Sequence, residues 1–129
     1  MVSADRHPPP RFNAARHCLG ANARTRPDKT ALILVGAGDA VETLTFAEAD
    51  RAVRAIAAGL LARGLRSGDR VMIRMGNEAD YVLVYFAALA AGLVALPSSP
   101  QLTPAEAAFL MENSGAAAVA VGGAGVLHQ

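Results

Sequence analysis

The sequence predicts an α/β fold: a partial three-layer arrangement of mostly parallel strands with crossover helices, following an amino-terminal helix and a hairpin. Three observations predict it. Helix-start signals recur at Thr45 and Thr103, and each is followed downstream by a glycine placed to end the helix, Gly64 and Gly115. Short apolar or alternating runs of strand length lie at residues 30–35, 41–45, 70–75, 93–96 and 117–121. From Thr45 onward the order is helix, strand, helix, strand, helix, strand, and such alternation sets parallel strands side by side with helices crossing between them.

Each element has a local cause. Asn13 caps a helix over residues 14–24, which stops ahead of Arg26-Pro27 because the residue before proline is pushed out of the helical region. TALILV, residues 30–35, is a compact apolar strand, and Gly36-Ala37-Gly38-Asp39 supplies turn residues before the alternating strand 41–45, so the two strands form a hairpin. Thr45 and Glu48 have the spacing of a capping box. Phe46, Ala49, Val53, Ile56, Ala57, Leu60 and Leu61 then form one apolar stripe, with Asp50 and Arg54 as an i,i+4 pair on another face. Gly64 is placed to end this helix in the left-handed conformation. After the loop 65–69, strand 70–75 alternates around Val71 and Ile73. Asn77 opens a helix through Ala91 that is apolar on nearly every side and therefore packed between layers. Gly92 ends it, and Pro97 closes the strand 93–96. Thr103, Pro104 and Glu106 repeat the start signal for a helix ending near residues 113–115, before the buried strand 117–121.

Composition narrows the functional classes. The 129 residues suffice for one domain and not for two. Twelve Lys+Arg against eleven Asp+Glu leave a formal charge of +1, which gives no electrostatic reason to expect nucleic acid or an anionic membrane as partner. At 53% hydrophobic and 18% charged residues, the chain is too apolar to be disordered by default. With one cysteine, Cys18, it has no internal disulfide. Residues 1–11, with their three consecutive prolines, are expected to be a disordered or extended tail and not a targeting signal. The uncharged run 81–96 has 16 residues, short of the roughly 20 that cross a bilayer. A soluble, cytoplasmic protein is expected.

The candidate motifs are each outweighed by a plainer reading. Gly36-x-Gly38 follows a strand and invites a dinucleotide-binding role, but Val41 stands where the third small residue belongs and the helix starts late, at Thr45. A hairpin turn explains the glycines better. The cluster Gly122-Gly123-Ala124-Gly125 suggests the start of a phosphate loop, yet no lysine or hydroxyl follows, and residues 122–129 are expected to be a flexible end. His7, His17 and His128 lack metal-ligand spacing. Cys18 is expected to be a small buried hydrophobe, and Arg11, Arg16, Arg24 and Arg26 a solvated basic surface. No catalytic, cofactor-binding or metal-ligating constellation is found. The loop leaving the last strand leads nowhere, so the sequence reads as part of something larger.

Several stretches, taken in order, resemble the amino-terminal part of the acyl-adenylate-forming superfamily, the AMP-dependent synthetases and ligases. They are PDKTAL at residues 27–32, LTFAEAD at 44–50, GLRSGDRV at 64–71, Gly76-Asn77, ALAAGLVALP at 88–97, LTPAE at 102–106 and NSGA at 113–116. The resemblance covers residues 12–121, and FNAARHCL at 12–19 leans towards acyl- and aryl-CoA synthetases of the medium-chain or benzoate-CoA ligase type. It implies a parent enzyme that joins a carboxylate to the α-phosphate of ATP with Mg²⁺ and then passes the acyl group to coenzyme A. It also implies that the phosphate loop, the ribose-binding acid and the catalytic lysine lie downstream of the stretches found here. Lys29, the only lysine, matches neither functional lysine of the family, so no catalytic or binding residue carries over. The expected role is that of an inactive scaffold. Its partners would be the rest of the enzyme or, through open sheet edges, other copies of itself. Two alternatives stay open: a stand-alone nucleotide-binding module and a non-catalytic interaction fragment.

Overall fold

The structure, a computed structural model, describes residues 10–122 and 125–127. Most of the expected tail, together with His7 and His128, lies outside the described residues. The first helix, α1, spans residues 14–25. Asn13 caps it as expected, its Oδ1 accepting the Arg16 amide at 3.0 Å. Its middle, Arg16–Gly20, widens into a π turn in which the Ala21 amide reaches back to the Arg16 carbonyl. The helix ends at Arg26, whose φ of −149° is set ahead of Pro27.

Strands β1 (Thr30–Val35) and β2 (Val41–Thr45) pair antiparallel, with Val35 opposite Val41 and Thr30 opposite Thr45. The turn between them puts Gly38 at φ 70° and Asp39 at φ 59°, and the Gly36 amide closes it on the Ala40 carbonyl at 2.7 Å. Helix α2 (Phe46–Ala62) then opens on the expected capping box. The Thr45 hydroxyl accepts the Glu48 amide at 3.2 Å, and the Glu48 carboxylate accepts the Thr45 amide at 2.8 Å. Ala49, Val53, Ala57 and Leu60 form the buried stripe. Leu61 departs from it, 45% exposed, because one further residue turns the side chain about 100° round the helix to the solvent side.

A second, four-stranded sheet has the order β4-β3-β5-β6, with β3 parallel to both β4 and β5. In the central strand β3 (Arg70–Arg74), Val71, Met72 and Ile73 are all fully buried, so both of its faces are covered. Helix α3 (Ala79–Ala90) leads from β3 to β4 (Val94–Ser98), and α4 (Pro104–Ser114) leads from β4 past β3 to β5 (Ala116–Val121). The β3-to-β4 and β4-to-β5 crossovers run in opposite directions along the sheet, so the right-handed rule for such connections puts α3 and α4 on opposite faces and makes three layers. The main core lies on the α2–α3 side, where Val53, Leu60, Ile73, Leu83, Ala87 and Ala88 belong to one cluster.

Several details differ from the sequence reading, among them strand β3 ending at Arg74 and β4 starting at Val94, each one residue inside the expected bounds. Helix α3 starts at Ala79 with the extended Glu78 before it and no side-chain cap, so Asn77 stays in the preceding bend and does not open the helix. Strand β4 runs through Pro97 to Ser98 instead of closing at the proline. Because β4 is the sheet's edge among the described residues, the missing amide takes no bond from the ladder. Strand β5 begins one residue early, at Ala116. Residues Gly125–Leu127 form β6, antiparallel to β5, where a flexible end was expected. The exit from α3 follows the glycine rule closely: Gly92 at φ 74° donates to the Leu89 carbonyl, and Leu93 donates to that of Ala88.

Candidate functional site

In open α/β sheets ligands sit outside the carboxyl ends of the parallel strands, above all where successive connections depart on opposite faces. Here that place lies between β3 and β4, whose following helices α3 and α4 take opposite faces. Arg74 ends β3 and reaches across the gap. One terminal guanidinium nitrogen donates to the carbonyls of Pro100 at 3.1 Å and Leu102 at 2.5 Å, which ties down the loop between β4 and α4. The buried Nε of Arg74 has no hydrogen-bond partner among the described residues. Beside it the Ser98 hydroxyl donates to the Ile73 carbonyl at 3.0 Å. Across β3, the Glu78 carboxylate packs so close to Gly122 that a Cβ there would lie 2.9 Å from it. This edge is a preformed framework, held by side-chain bonds to main chain.

Sequence reasoning missed Arg74 and Ser98, since their partners lie 25 to 28 residues away along the chain. No local pattern announces such a clamp. The alternating run around Val71 and Ile73 did place Arg74 near a strand end, which was the only signal for it.

The residues that the sequence singled out are scattered. Gly36 and Gly38 sit in the hairpin turn, where a Cβ on Gly38 would meet nothing within 4 Å. The segment after them is β2, and α2 begins only at Phe46. A dinucleotide fingerprint needs a helix amino terminus aimed at the pyrophosphate, and here the glycines lead into an antiparallel strand instead. His17 lies exposed on α1, its ring 5.2 Å from that of Phe12. Cys18 is exposed, contrary to the buried position expected of it. Ala15 and Leu19 take the inward face of α1, and Cys18 falls on the side turned away from them. Lys29 is exposed at the entrance to β1, its carbonyl accepting the Phe46 amide at 2.9 Å. Asp50 and Arg54 do pair as expected, at 2.7 Å, beside a concavity of about 180 Å³ between α1 and α2. Among the described residues no three His, Cys, Asp or Glu side chains gather as a metal's ligand set.

The opposite face of the sheet is thinly covered. Helix α4 has no buried residue, and Phe109 is 66% exposed. With Leu102, Ala105 and Leu110 it lines an open apolar concavity of about 440 Å³. The outer face of the hairpin likewise exposes Ile33, Val35 and Val41. No helix of the described residues is long and apolar enough to cross a membrane.

Residues 19–128 match the family described as AMP-binding enzyme. A long-chain-fatty-acid–CoA ligase of Haemophilus influenzae is 37% identical over 99 residues, covering 76% of this chain and 17% of the ligase. The O-succinylbenzoate coenzyme A synthetase of Bacillus subtilis, solved in complex with AMP, is 30% identical with a TM-score of 0.72, over 81% of this chain and 26% of that one. The fatty acid AMP ligase from Legionella pneumophila shares the fold, with a TM-score of 0.78 at 24% identity over 86% of this chain and 20% of its own. The chain thus spans about a fifth of the length of the relatives it matches. By the family match over most of its length, this chain belongs to the AMP-binding enzymes, among acyl-CoA ligases and related adenylate-forming proteins.

Proposed function

We propose that residues 12–121 are the amino-terminal part of the large domain of an ATP-dependent acyl-CoA synthetase-like ligase, and that this stretch serves as scaffold. The intact enzyme would activate an aliphatic or aromatic carboxylate as an acyl-adenylate, using ATP and Mg²⁺, and then form the thioester with coenzyme A. The observation that carries the reading is the family match over residues 19–128 on a chain whose only lysine is Lys29. Holding a triphosphate takes converging amides and cations, and stabilising the charge that develops at the carboxylate takes a positioned cation or metal. Lys29 stands exposed beside the hairpin, remote in the chain from the clamp at Arg74, and the described carboxylates do not converge. The residues present therefore do not fit ATP and Mg²⁺, and no catalytic step is assigned to them. A cytoplasmic location belongs to the same proposal.

The test is pyrophosphate release by the 129-residue chain given ATP, Mg²⁺, coenzyme A and a panel of aliphatic and aromatic acids. The scaffold reading expects no release above a protein-free blank. Turnover that saturates with one of the acids would overturn it.

The exposed apolar faces favour a second reading that is compatible with the first, in which the chain docks onto the remainder of an adenylate-forming domain or associates with itself. Phe109 on α4 and the Ile33–Val35–Val41 face of the hairpin are the surfaces that such contacts would cover. Sedimentation of the chain as a monomer that binds no dye for exposed apolar surface would count against it.

A further inference from the structure

Between Arg11 and Pro27 the sequence has four arginines and no carboxylate, on a chain whose formal charge is only +1. The remainder is correspondingly acidic, so charge is segregated onto the first helix and its lead-in. The structure gathers three of these arginines. Arg11, Arg16 and Arg24 line one open groove of about 390 Å³ with Phe12, His17 and Ala21. None of the three makes an ion pair among the described residues, where the pair present is Arg54 with Asp50. Phe12 is 51% exposed and stands against His17, so aromatic surface lies open beside the guanidinium groups. His17, Ala21 and Arg24 follow one another at four- and three-residue steps on one helix face. The small Ala21 leaves the floor low between the longer side chains.

From this arrangement we infer that the groove is a docking site for an acidic peptide segment of a partner protein, independently of the ligase reading. Guanidinium forks pair with carboxylates through two parallel hydrogen bonds. Three guanidinium forks without an ion pair among the described residues, set around an apolar floor, suit a short segment in which glutamates or aspartates flank an aliphatic side chain. The groove is concave, so a flat lipid surface would touch its rim and leave its floor empty. Its helix is about 18 Å long, a short track for a polyphosphate backbone.

The test is fluorescence anisotropy with a labelled Glu-Glu-Leu-Glu-Glu-Leu peptide titrated with the full chain. Saturable binding is expected, weakening several-fold as salt rises from 50 to 300 mM by screening of exposed charges, roughly as the Debye length shortens. The same peptide with Gln in place of Glu should not bind. Arg16→Gln with Arg24→Gln should weaken binding at least about tenfold, since the loss of even one charged hydrogen bond is worth about that much. Arg51→Gln with Arg63→Gln, which do not line the groove, should leave it unchanged. Arg11→Glu, outside the helix, gives the same reading if the double variant loses its helical circular dichroism. Absence of saturable binding overturns the inference, as does binding indifferent to the groove variants. Equal or tighter binding of oligo(dT), or of phosphatidylcholine vesicles containing phosphatidylserine, overturns it as well.

Discussion

The side-chain amide of Asn13 donates to the main-chain carbonyl of Leu89 at 3.0 Å, joining two residues 76 positions apart. The same side chain accepts the Arg16 amide through its oxygen. Asn13 therefore caps α1 and pins its start to the last turn of α3, whose carbonyls have no partner within their own helix. Asn13→Ala removes both bonds and is expected to destabilise the chain by about 1–2 kcal/mol. Asn13→Asp keeps the cap and loses the donor, so chemical denaturation should place it between alanine and wild type. If aspartate proves as stable as asparagine, the pin to α3 contributes nothing.

Both capping boxes carry a pH signature. The backbone amide of Thr45, and then its hydroxyl, hold the Glu48 carboxyl below the usual glutamate range, and Thr103 does the same for Glu106. A carboxyl lowered on folding adds stability above its unfolded pKa, and that contribution is lost as pH falls through the folded value. Melting curves from pH 6 to below the ordinary glutamate range of roughly pH 4 should therefore show a loss that Glu48→Gln and Glu106→Gln together diminish. An unchanged pH profile in that double variant would contradict the assignment. Thr45→Ala removes the acceptor of the Glu48 amide and should itself cost about 1 kcal/mol.

Leu60 and Leu61 are neighbours in sequence with opposite fates, 3% and 45% exposed. Leu60→Ala opens a cavity against the packed face of α2 and should cost about 2–5 kcal/mol. Leu61→Ala removes a side chain already half in water and should cost less than about 1 kcal/mol. Urea unfolding midpoints would rank them, and the reverse order would misplace the helix about its axis.

Gly92 and Gly38 both take positive φ, 74° and 70°. A Cβ at Gly92 would lie 2.9 Å from the Ser67 hydroxyl, whereas at Gly38 it would meet nothing within 4 Å. Gly38→Ala should cost about 1–2 kcal/mol, the left-handed penalty alone. Gly92→Ala should cost more, because a contact must also give way, and thermal melts of the two variants compare them directly.

Elements governed by residues three or four apart were legible in the sequence. Thr45 with Glu48 and Thr103 with Glu106 announce their helices by local hydrogen bonds, and Gly64 and Gly115 end them with the positive φ that those positions require. The alternation of helix and strand was enough to announce parallel strands joined by crossover helices, whereas the order β4-β3-β5 depends on which distant strands pair. What stayed hidden depends on distant partners. Pro97 reads as a strand terminator until its edge position is known, and Asn77 reads as a cap although Glu78 takes the place before α3. Cys18 reads as a core residue until Ala15 and Leu19 take the inward face of α1. The Arg74 clamp needs carbonyls from a loop that its own segment cannot foretell.

The central claim is that this segment frames an adenylate-forming domain without performing the chemistry. Pyrophosphate release from the purified 129-residue chain, supplied with ATP, Mg²⁺, coenzyme A and the acid panel, tests it most directly. The scaffold account predicts a trace indistinguishable from the protein-free blank. Sustained, acid-dependent release that saturates with substrate would contradict it.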